Sequence, residues 1–317
     1  MIDLHLHLDG AISVKNAREL AVLQNIEIPE SDDELKKLLT VSDGCKDLNE
    51  FLEKFEFPCK LLMTKEGISL AVKNLISELA ESGVIYAEIR FAPQKSKSEK
   101  CSAEDAVIAA TDGAKGGKIP VKFILCCMRG GSYEDNVETV KLAAKYKNKG
   151  VVAIDLAGAE ALFPLEDYKY IFELAKALGV PFTVHAGEAL GADAVWEALE
   201  LAPDRIGHGV RAYEDEKLLS ELAKRKIPLE LCPSSNICTA VFKDISEYPL
   251  EKFERAGVFC TVNTDDMSIE GTTLAAEYEK LGLTKEQILK YNLRSVDASF
   301  ADEKLKEKLK NKLVTAC

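Results

Sequence analysis

The chain has 317 residues, of which 47% are hydrophobic and 30% charged, and its formal net charge is −12. Acidic and basic residues are mixed along it, which argues against a nucleic-acid partner, because phosphate binding requires clustered lysine and arginine. No apolar run approaches the roughly 18 residues of a membrane span. The start also lacks the basic and apolar regions of a secretory signal. We therefore expect a cytoplasmic protein that neither enters a membrane nor binds nucleic acid.

Cysteine usage points to the same compartment. The nine cysteines are Cys45, Cys59, Cys101, Cys126, Cys127, Cys232, Cys238, Cys260 and Cys317. Their number is odd, no pair has C-x-x-C spacing, and several lie in apolar runs typical of strands. This pattern predicts reduced, buried thiols rather than a disulfide framework. Cys232 remains an open candidate for a zinc ligand.

The first ten residues alternate in character. The apolar side chains of Ile2, Leu4, Leu6 and Leu8 are interleaved with those of Asp3, His5, His7 and Asp9. A period of two predicts a β-strand, and residues two apart leave the same face of a strand. His5 and His7 therefore offer a pair of metal ligands, for which histidine is the commonest residue. The alternative is a solvent-facing edge strand that carries two histidines by chance.

Residues 13–82 have helical periodicity, and Gly83 is a suitable stop for the last helix of this region. Residues 51–57 carry three phenylalanines early in this insertion, after the strand with the paired histidines. Apolar stripes of this kind usually pack in a core. The alternative role is to roof a ligand pocket, and the sequence leaves both roles open.

From residue 83 onward, short apolar runs alternate with amphipathic helices. The strand-like runs cover residues 84–91, 121–127, 151–156, 182–185, 205–208, 229–232 and 258–263. With the first strand they give about eight βα units, the number that closes a parallel (β/α)8 barrel of the TIM type. A doubly wound sheet is the rival architecture, but no strand is followed by a Gly-rich dinucleotide turn. We predict one α/β domain over residues 1–317, with a helical lid at about 13–82.

All four histidines fall on predicted strands or at their ends. His5 and His7 lie on the first strand, His185 ends the fifth, His208 ends the sixth, and Asp265 and Asp266 follow the eighth. Barrel enzymes build their sites at the carboxyl ends of the strands, so the placement predicts one polar cluster. Three neutral imidazoles and the Asp265 carboxylate suit one Zn²⁺ with a position left for water. Such an ion lowers the pKa of that water to near neutrality. The fourth strand carries no lysine that could bridge a second metal.

Glu188 lies three residues after His185, on a predicted tight turn, and has no obvious basic neighbour in sequence. A carboxyl group desolvated at this position has a raised pKa and can donate a proton. The alternative is a glutamate at a helix N-terminus, where the helix dipole favours it.

Six motifs are distributed along the chain. They are residues 5–10 (HLHLDG), 155–158 (DLAG), 183–188 (TVHAGE), 205–209 (RIGHG), 232–236 (CPSSN) and 263–266 (NTDD). In order and spacing they resemble the adenosine deaminase family, over nearly the whole chain, and the joint set is highly specific. The insertion that contains Phe51 and Phe55 is also similar to the pocket-covering helices of that family.

The resemblance implies a role for each matching residue. His5, His7, His185 and Asp265 would hold zinc, and Glu188 would protonate N1 of the purine. His208 would orient the nucleophilic hydroxide and help to take its proton. Asp266 would bond N7, the backbone N–H of Gly158 would bond N3, and Asp9, with His7 nearby, would meet the ribose hydroxyls. The implied reaction is zinc-dependent hydrolysis of adenosine and 2′-deoxyadenosine to inosine, deoxyinosine and ammonia. The oligomeric state stays open.

Two positions depart from the family pattern. Met267 stands where the family usually has proline after the paired aspartates, and Ala159 stands where it often has an acid. Because neither position is expected to touch the reacting atoms, the departures bear on fine specificity rather than on the reaction.

The closest rival is a deaminase of free adenine or of an N6-modified adenine nucleotide in the same superfamily. Asp9 and Gly207 favour the nucleoside, because adenine deaminases of this type often have glutamate and aspartate there. A non-catalytic, metal-stabilised interaction protein on the same fold would lose a catalytic group, yet Glu188, His208 and Asp266 are all present.

Overall fold

The computed structural model describes residues 1–42 and 45–315. In this part of the chain, eight strands alternate with helices. The strands are β1 (Ile2–His7), β2 (Tyr86–Phe91), β3 (Val121–Met128), β4 (Val151–Ala157), β5 (His185–Ala186), β6 (Ile206–His208), β7 (Leu229–Leu231) and β8 (Cys260–Val262). Neighbouring strands pair in parallel, in the orders β1-β2-β3-β4 and β5-β6-β7-β8.

Two seams join these sheets into a closed barrel. At the first seam, Leu6 bridges to Asp265 in parallel, and the backbone N–H of Asp265 donates to the carbonyl of His5 at 2.8 Å. At the second, Ile154 bridges to Phe182 in the same sense. Closure leaves no unpaired edge between the first and eighth strands or between the fourth and fifth. The predicted (β/α)8 barrel is therefore confirmed.

Strand β1 is buried on both faces. Its apolar side chains, such as Ile2 and Leu4, pack with Val296 and Leu309 of the C-terminal helices. Its polar side chains line the barrel interior, where His5 has no exposed surface. The alternation of the first ten residues therefore separates helix-facing from interior-facing side chains, and a solvent-facing edge strand is excluded.

The helices surround this barrel. They are α1 (Val14–Gln24), α2 (Asp32–Leu39), α3 (Leu48–Leu52), α4 (Glu56–Lys60), α5 (Lys65–Glu81), α6 (Ala103–Gly113), α7 (Tyr133–Tyr146), α8 (Lys169–Leu178), α9 (Ala192–Glu200), α10 (Glu216–Arg225), α11 (Pro233–Cys238), α12 (Leu250–Ala256), α13 (Met267–Glu270), α14 (Leu274–Lys280), α15 (Lys285–Ala298) and α16 (Glu303–Thr315). Short 3₁₀ turns cover Glu53–Phe55, Pro93–Ser96, Leu165–Tyr168, Val210–Glu214 and Ile245–Glu247. Helix α8 is preceded directly by the 3₁₀ turn Leu165–Tyr168. Thr284 and Gln287 form a capping box at the start of α15.

The described part of the insertion between β1 and β2 contains the five helices α1–α5 rather than one continuous helix. Helix α5 buries Ile68, Val72 and Leu75 in the main core. Helix α3 instead contributes Phe51 to a separate small cluster with Ile269. The boundary of the insertion as a lid stays a prediction.

No helix within the described ranges is long and apolar enough to cross a membrane. The eight cysteines among the described residues are thiols rather than halves of disulfides, and five of them are buried. Cys45, Cys59 and Cys238 are only partly buried. Cys317 lies outside the described residues.

Candidate active site and metal centre

Four ligand atoms converge at the carboxyl ends of β1, β5 and β8. His5 Nε2 lies 3.1 Å from His185 Nε2 and 3.2 Å from Asp265 Oδ1, and His7 Nε2 lies 3.4 Å from the same oxygen. Ligands held about 2.0–2.1 Å from a tetrahedral zinc are about 3.3–3.4 Å apart. Asp265 Oδ1 is buried and accepts no hydrogen bond from any residue that the structure describes. The spacing and the unsatisfied oxygen therefore fit one shared metal ion, and His5, His7, His185 and Asp265 form such a group.

Carboxylates on the far side of two rings orient these ligands. His5 Nδ1 lies 2.8 Å from Glu230 Oε2, and His185 Nδ1 lies 2.9 Å from Asp155 Oδ2. At His5 the carboxylate holds the ring proton on Nδ1 and leaves the Nε2 lone pair for a metal. At His185 the Asp155 carboxylate lies close to Nδ1 without a directed hydrogen bond among the described residues. Arg90 contacts both carboxylates at 2.8 Å.

Five fully buried charged residues make up what we call the ion-pair layer: Glu88, Arg90, Asp155, Arg205 and Glu230. Although burial alone raises the pKa of a carboxyl, the two guanidinium groups hold the pKa of Glu230 well below its usual range. His185 and Arg90 likewise lower the pKa of Asp155 against the effect of burial. Sequence reasoning missed this layer, although charged residues inside apolar strand runs were a visible signal for it.

Gly207 leaves room for two of the ligand rings. A Cβ at this position would lie 3.1 Å from His5 Cε1 and 3.3 Å from His185 Nδ1. A larger side chain would therefore press on the imidazoles. Gly207, which in the sequence favours a nucleoside substrate over free adenine, is therefore also required for the packing of the two rings.

The backbone at two site residues is strained. His208 and Asp265 have φ of 56° and 62°, in the left-handed region that non-glycine residues seldom occupy. Such conformations cost on the order of 1–3 kcal/mol and are concentrated at functional sites. The hydrogen bonds of the barrel seam stabilise the strained conformation of Asp265, whose carbonyl accepts from the His7 N–H at 2.9 Å.

Glu188 is a buried acid beside His208. Its Oε2 lies 3.8 Å from His208 Nε2. Burial first, and then the negative charge of Asp265, raise the pKa of Glu188 to about 8. The carboxyl group is therefore protonated at neutral pH. Helix α9 begins only at Ala192, so Glu188 is not in a helical first turn and that alternative is excluded.

His208 is neutral, and its proton lies on the nitrogen that faces the site. Burial lowers its pKa well below the usual value. Its Nδ1 lies 3.2 Å from Asn236 Nδ2, while Asn236 Oδ1 accepts from the Tyr248 hydroxyl at 3.2 Å. With the Asn236 amide nitrogen donating to Nδ1, the ring proton is on Nε2. That nitrogen lies 3.5 Å from Asp265 Oδ2 and has no hydrogen-bond partner among the described residues.

Asp266 is a second buried acid with a raised pKa. Burial and the charge of Asp265 raise its pKa well above the usual range. Its Oδ1 is buried and has no hydrogen-bond partner within residues 1–42 and 45–315. A Cβ at Gly10 would lie 1.6 Å from this oxygen. Residue 10 must therefore be glycine for Asp266 to adopt this position. Met267 is the first residue of α13, a position that also suits proline, so this departure requires no change of backbone.

The remaining predicted site residues lie at the rim. Asp9 Oδ1 is buried and has no hydrogen-bond partner in the described part of the chain, and Asp9 Oδ2 lies 3.8 Å from the Cys59 thiol. Burial raises the pKa of Asp9 to about 6. The side chain of His7 is 12% exposed, more than that of any other histidine in the cluster. Gly158 directly follows β4 and has φ of 105°.

The phenylalanine group contacts the neighbours of both site acids. Phe51 and Leu48 of α3 pack with Ile269, three residues after Asp266. Ala189, which follows Glu188, packs against the same cluster. This contact favours the roofing role that the sequence left open.

Cys232 is a weaker candidate for the metal. Its sulfur is within ligand range of a second group that shares His5 and Asp265 with the first. However, burial raises the pKa of the Cys232 thiol well above its usual value, and only a thiolate binds zinc. The thiol donates instead to the Glu230 carbonyl at 3.3 Å.

Comparison with known proteins agrees with this site. Residues 1–316 match the family model Adenosine deaminase. The chain is 42% identical to the adenosine deaminase of Haemophilus ducreyi, over 98% of this chain and 94% of that protein. It is 36% identical to the adenosine deaminase of Clostridium acetobutylicum, over 98% and 96% of the two chains. Among solved structures, the adenine deaminase of Arthrobacter aurescens has a TM-score of 0.90 and 25% identity, covering 99% of this chain and 98% of that one. Arabidopsis N6-mAMP deaminase has a TM-score of 0.86 and 25% identity, covering 99% and 97%.

A closed parallel barrel with a histidine–aspartate group at its strand ends has the features of a metal-dependent enzyme. The extent of the family match places the chain more narrowly within that class. The chain belongs to the adenosine deaminase family.

Proposed function

We propose that this chain hydrolyses adenosine and 2′-deoxyadenosine to inosine, deoxyinosine and ammonia, with one zinc ion held by His5, His7, His185 and Asp265. The observation that carries the proposal is the convergence of those four ligand atoms beside the buried acid Glu188. Relatives at 34–42% identity over nearly the whole chain are named adenosine deaminases, which supports the nucleoside as substrate.

The donor set supports zinc as the metal. Three imidazole nitrogens and one carboxylate oxygen are ligands that zinc accepts, and zinc can expand to five-coordination to take a water beside them. When bound, zinc supplies a water molecule whose pKa is lowered to near neutrality.

The protonation states of the two site acids match the purine ring. N1, N3 and N7 each present a lone pair and therefore need a donor. Protonated Glu188 donates to N1, which draws electron density from C6 and prepares that carbon for attack. Protonated Asp266 donates to N7, and the backbone N–H of Gly158 donates to N3. These three donors hold the ring in one orientation.

His208 acts on the other reactant. Its Nε2 carries the proton in the tautomer that Asn236 selects, so this nitrogen donates a hydrogen bond to the oxygen that attacks C6. The geometry supports the orienting role of His208 rather than the acceptance of a proton at Nε2.

Asp9 and His7 bind the sugar. The unpaired Asp9 Oδ1 is an acceptor without a donor, and a ribose hydroxyl is a donor of suitable kind. Free adenine lacks this group, so the contact distinguishes the nucleoside from the base.

Absorbance at the adenine band, with adenosine, 2′-deoxyadenosine, adenine and AMP offered in parallel, tests the proposal. We expect rapid loss of the band with both nucleosides, one ammonia released per turnover, and about one zinc per chain by elemental analysis. Removal of the metal with a chelator should abolish turnover, and added Zn²⁺ should restore it. Faster turnover of adenine or AMP would overturn the nucleoside assignment, and absence of ammonia from every purine would overturn the reaction.

A further inference from the structure

One carboxylate outside the predicted site binds the turn that carries Glu188. Glu160, three residues after β4, is only 1% exposed. Its Oε1 accepts from the backbone N–H of Gly187 at 2.7 Å. Its Oε2 accepts from the N–H groups of Glu188, Ala189 and Leu190 at 3.1, 2.7 and 2.9 Å. Four successive peptide groups therefore point at one anion.

Among the described residues, Glu160 is the acceptor for all four of these peptide groups. They lie between the end of β5 and the start of α9, so neither a strand ladder nor a helix satisfies them. Buried N–H groups without an acceptor are costly, and hydrogen bonds to a charged acceptor are stronger than neutral ones. The path of residues 187–190 thus depends on the Glu160 carboxylate.

Arg129 fixes the same turn from its other end. Its guanidinium donates to the His185 carbonyl at 2.9 Å and to the Phe163 carbonyl at 2.6 Å. Between the two clamps, Gly187 has φ of 67°, and a Cβ there would lie 2.3 Å from Val195 Cγ2. The turn therefore has little freedom to take another path.

We propose that Glu160 is a positioning residue, which directs the Glu188 carboxyl group toward the reacting ring nitrogen by fixing the peptide groups of residues 187–190. This role rests on the proposed function, in which Glu188 donates the proton. Glu160 itself touches neither substrate nor metal. A misplacement of about 1 Å in a catalytic group can lower the rate about 100-fold, so the clamp affects turnover more than binding.

Amide hydrogen exchange tests the clamp without reference to activity. Glu160→Gln keeps the shape of the side chain, but its amide nitrogen must face one of the N–H donors. We expect amides 187–190 to exchange at least ten times faster in this variant, while exchange in β1 and β8 is unchanged. Glu200→Gln is the matched control, because Glu200 is an exposed acid at the end of α9 and does not line the pocket that contains Glu160 and Leu190. Unchanged exchange at 187–190 would overturn the proposal.

Kinetics with adenosine test the consequence for Glu188. In Glu160→Gln, kcat should fall about 10- to 100-fold with KM within about threefold of wild type and with full metal content. In a Glu188→Gln background, the same substitution should change the residual rate less than twofold, because the acid that Glu160 positions is already absent.

An equal loss from Glu160→Gln in both backgrounds, or a loss explained by departed metal, would overturn the positioning role. If Glu160→Gln does not fold, Glu160→Asp carries the same comparison, since it keeps the charge and shortens the reach. If the wild-type protein is inactive but amides 187–190 exchange faster in Glu160→Gln, the proposed function is contradicted. The structural role of Glu160 in fixing the turn is then still supported.

Discussion

The barrel interior contains two adjoining groups of charged residues that differ in how their charges are balanced. In the ion-pair layer, Asp155 and Glu230 each lie 2.8 Å from Arg90, and Glu88 lies 2.7 Å from Arg205. We call the second group the site cluster; it comprises the converging histidines and the acids beside them. Its acids are Asp9, Glu188, Asp265 and Asp266. Among the described residues, no lysine or arginine forms an ion pair with any of these four.

This difference separates structural from reactive carboxylates. Burial acts on both groups, yet the pKa of Glu230 is held low while that of Glu188 is raised to about 8. A buried acid without a basic partner must either bind a proton or lie beside a cation. In the site cluster the pKa values of Glu188 and Asp266 are raised, whereas that of Asp265, which lies among the imidazoles, is held low.

The strongest test of this division is Glu188→Gln. We expect kcat for adenosine to fall about 10²- to 10⁴-fold, the usual contribution of a positioned general acid. Zinc content by elemental analysis should not change, because Glu188 is not one of the four converging ligands. A kcat within tenfold of wild type would refute the assigned role. Loss of zinc in this variant would show that Glu188 also contributes to metal binding.

The ion-pair layer is tested by Arg90→Lys. A lysine keeps the charge but cannot span two carboxylates as the guanidinium does. Asp155 and Glu230 would then hold the rings of His185 and His5 less firmly, so metal affinity should fall about 10- to 100-fold. Competition with a chromogenic chelator measures it, and kcat at saturating zinc should stay near wild type.

Arg205→Lys is the matched control for Arg90→Lys. Arg205 contacts Glu230 but not Asp155, so it reaches only one of the two ligand rings. Its substitution should weaken metal binding less. If the two variants lose metal affinity equally, Arg90 does not act by bridging the two carboxylates.

The sequence predicts the barrel and the site cluster because both signals are local. Strand runs, the alternation around His5 and His7, and the turn after His185 can each be read within about ten residues. The residues that support the cluster cannot be read in this way. Arg90 and Glu230 meet across 140 residues, and Glu160 meets Gly187 across 27. Their pairing depends on barrel closure, which a local pattern does not record.

The sequence also does not predict the local conformation at the strand ends. The fifth strand is predicted at residues 182–185, but the structure pairs only His185 and Ala186 regularly. Phe182 instead forms a single bridge at the second seam. No sequence pattern predicts positive φ at His208 and Asp265, because these residue types do not require it. The tertiary contacts of the barrel impose both features.

The smallest expected effect belongs to Asp9→Asn at the rim of the site cluster. The substitution keeps the size of the side chain and removes the charge that accepts a ribose hydroxyl. A hydrogen bond to a charged group contributes about 1.5–3 kcal/mol, and the partly exposed position favours the lower end, so kcat/KM for adenosine should fall about tenfold. The inhibition constant of adenine, measured against adenosine, should not change because adenine has no ribose. If binding of adenine weakens as much as kcat/KM for adenosine falls, Asp9 acts on the purine ring or the metal rather than on the sugar. Its unpaired oxygen would then belong with the reactive acids of the cluster.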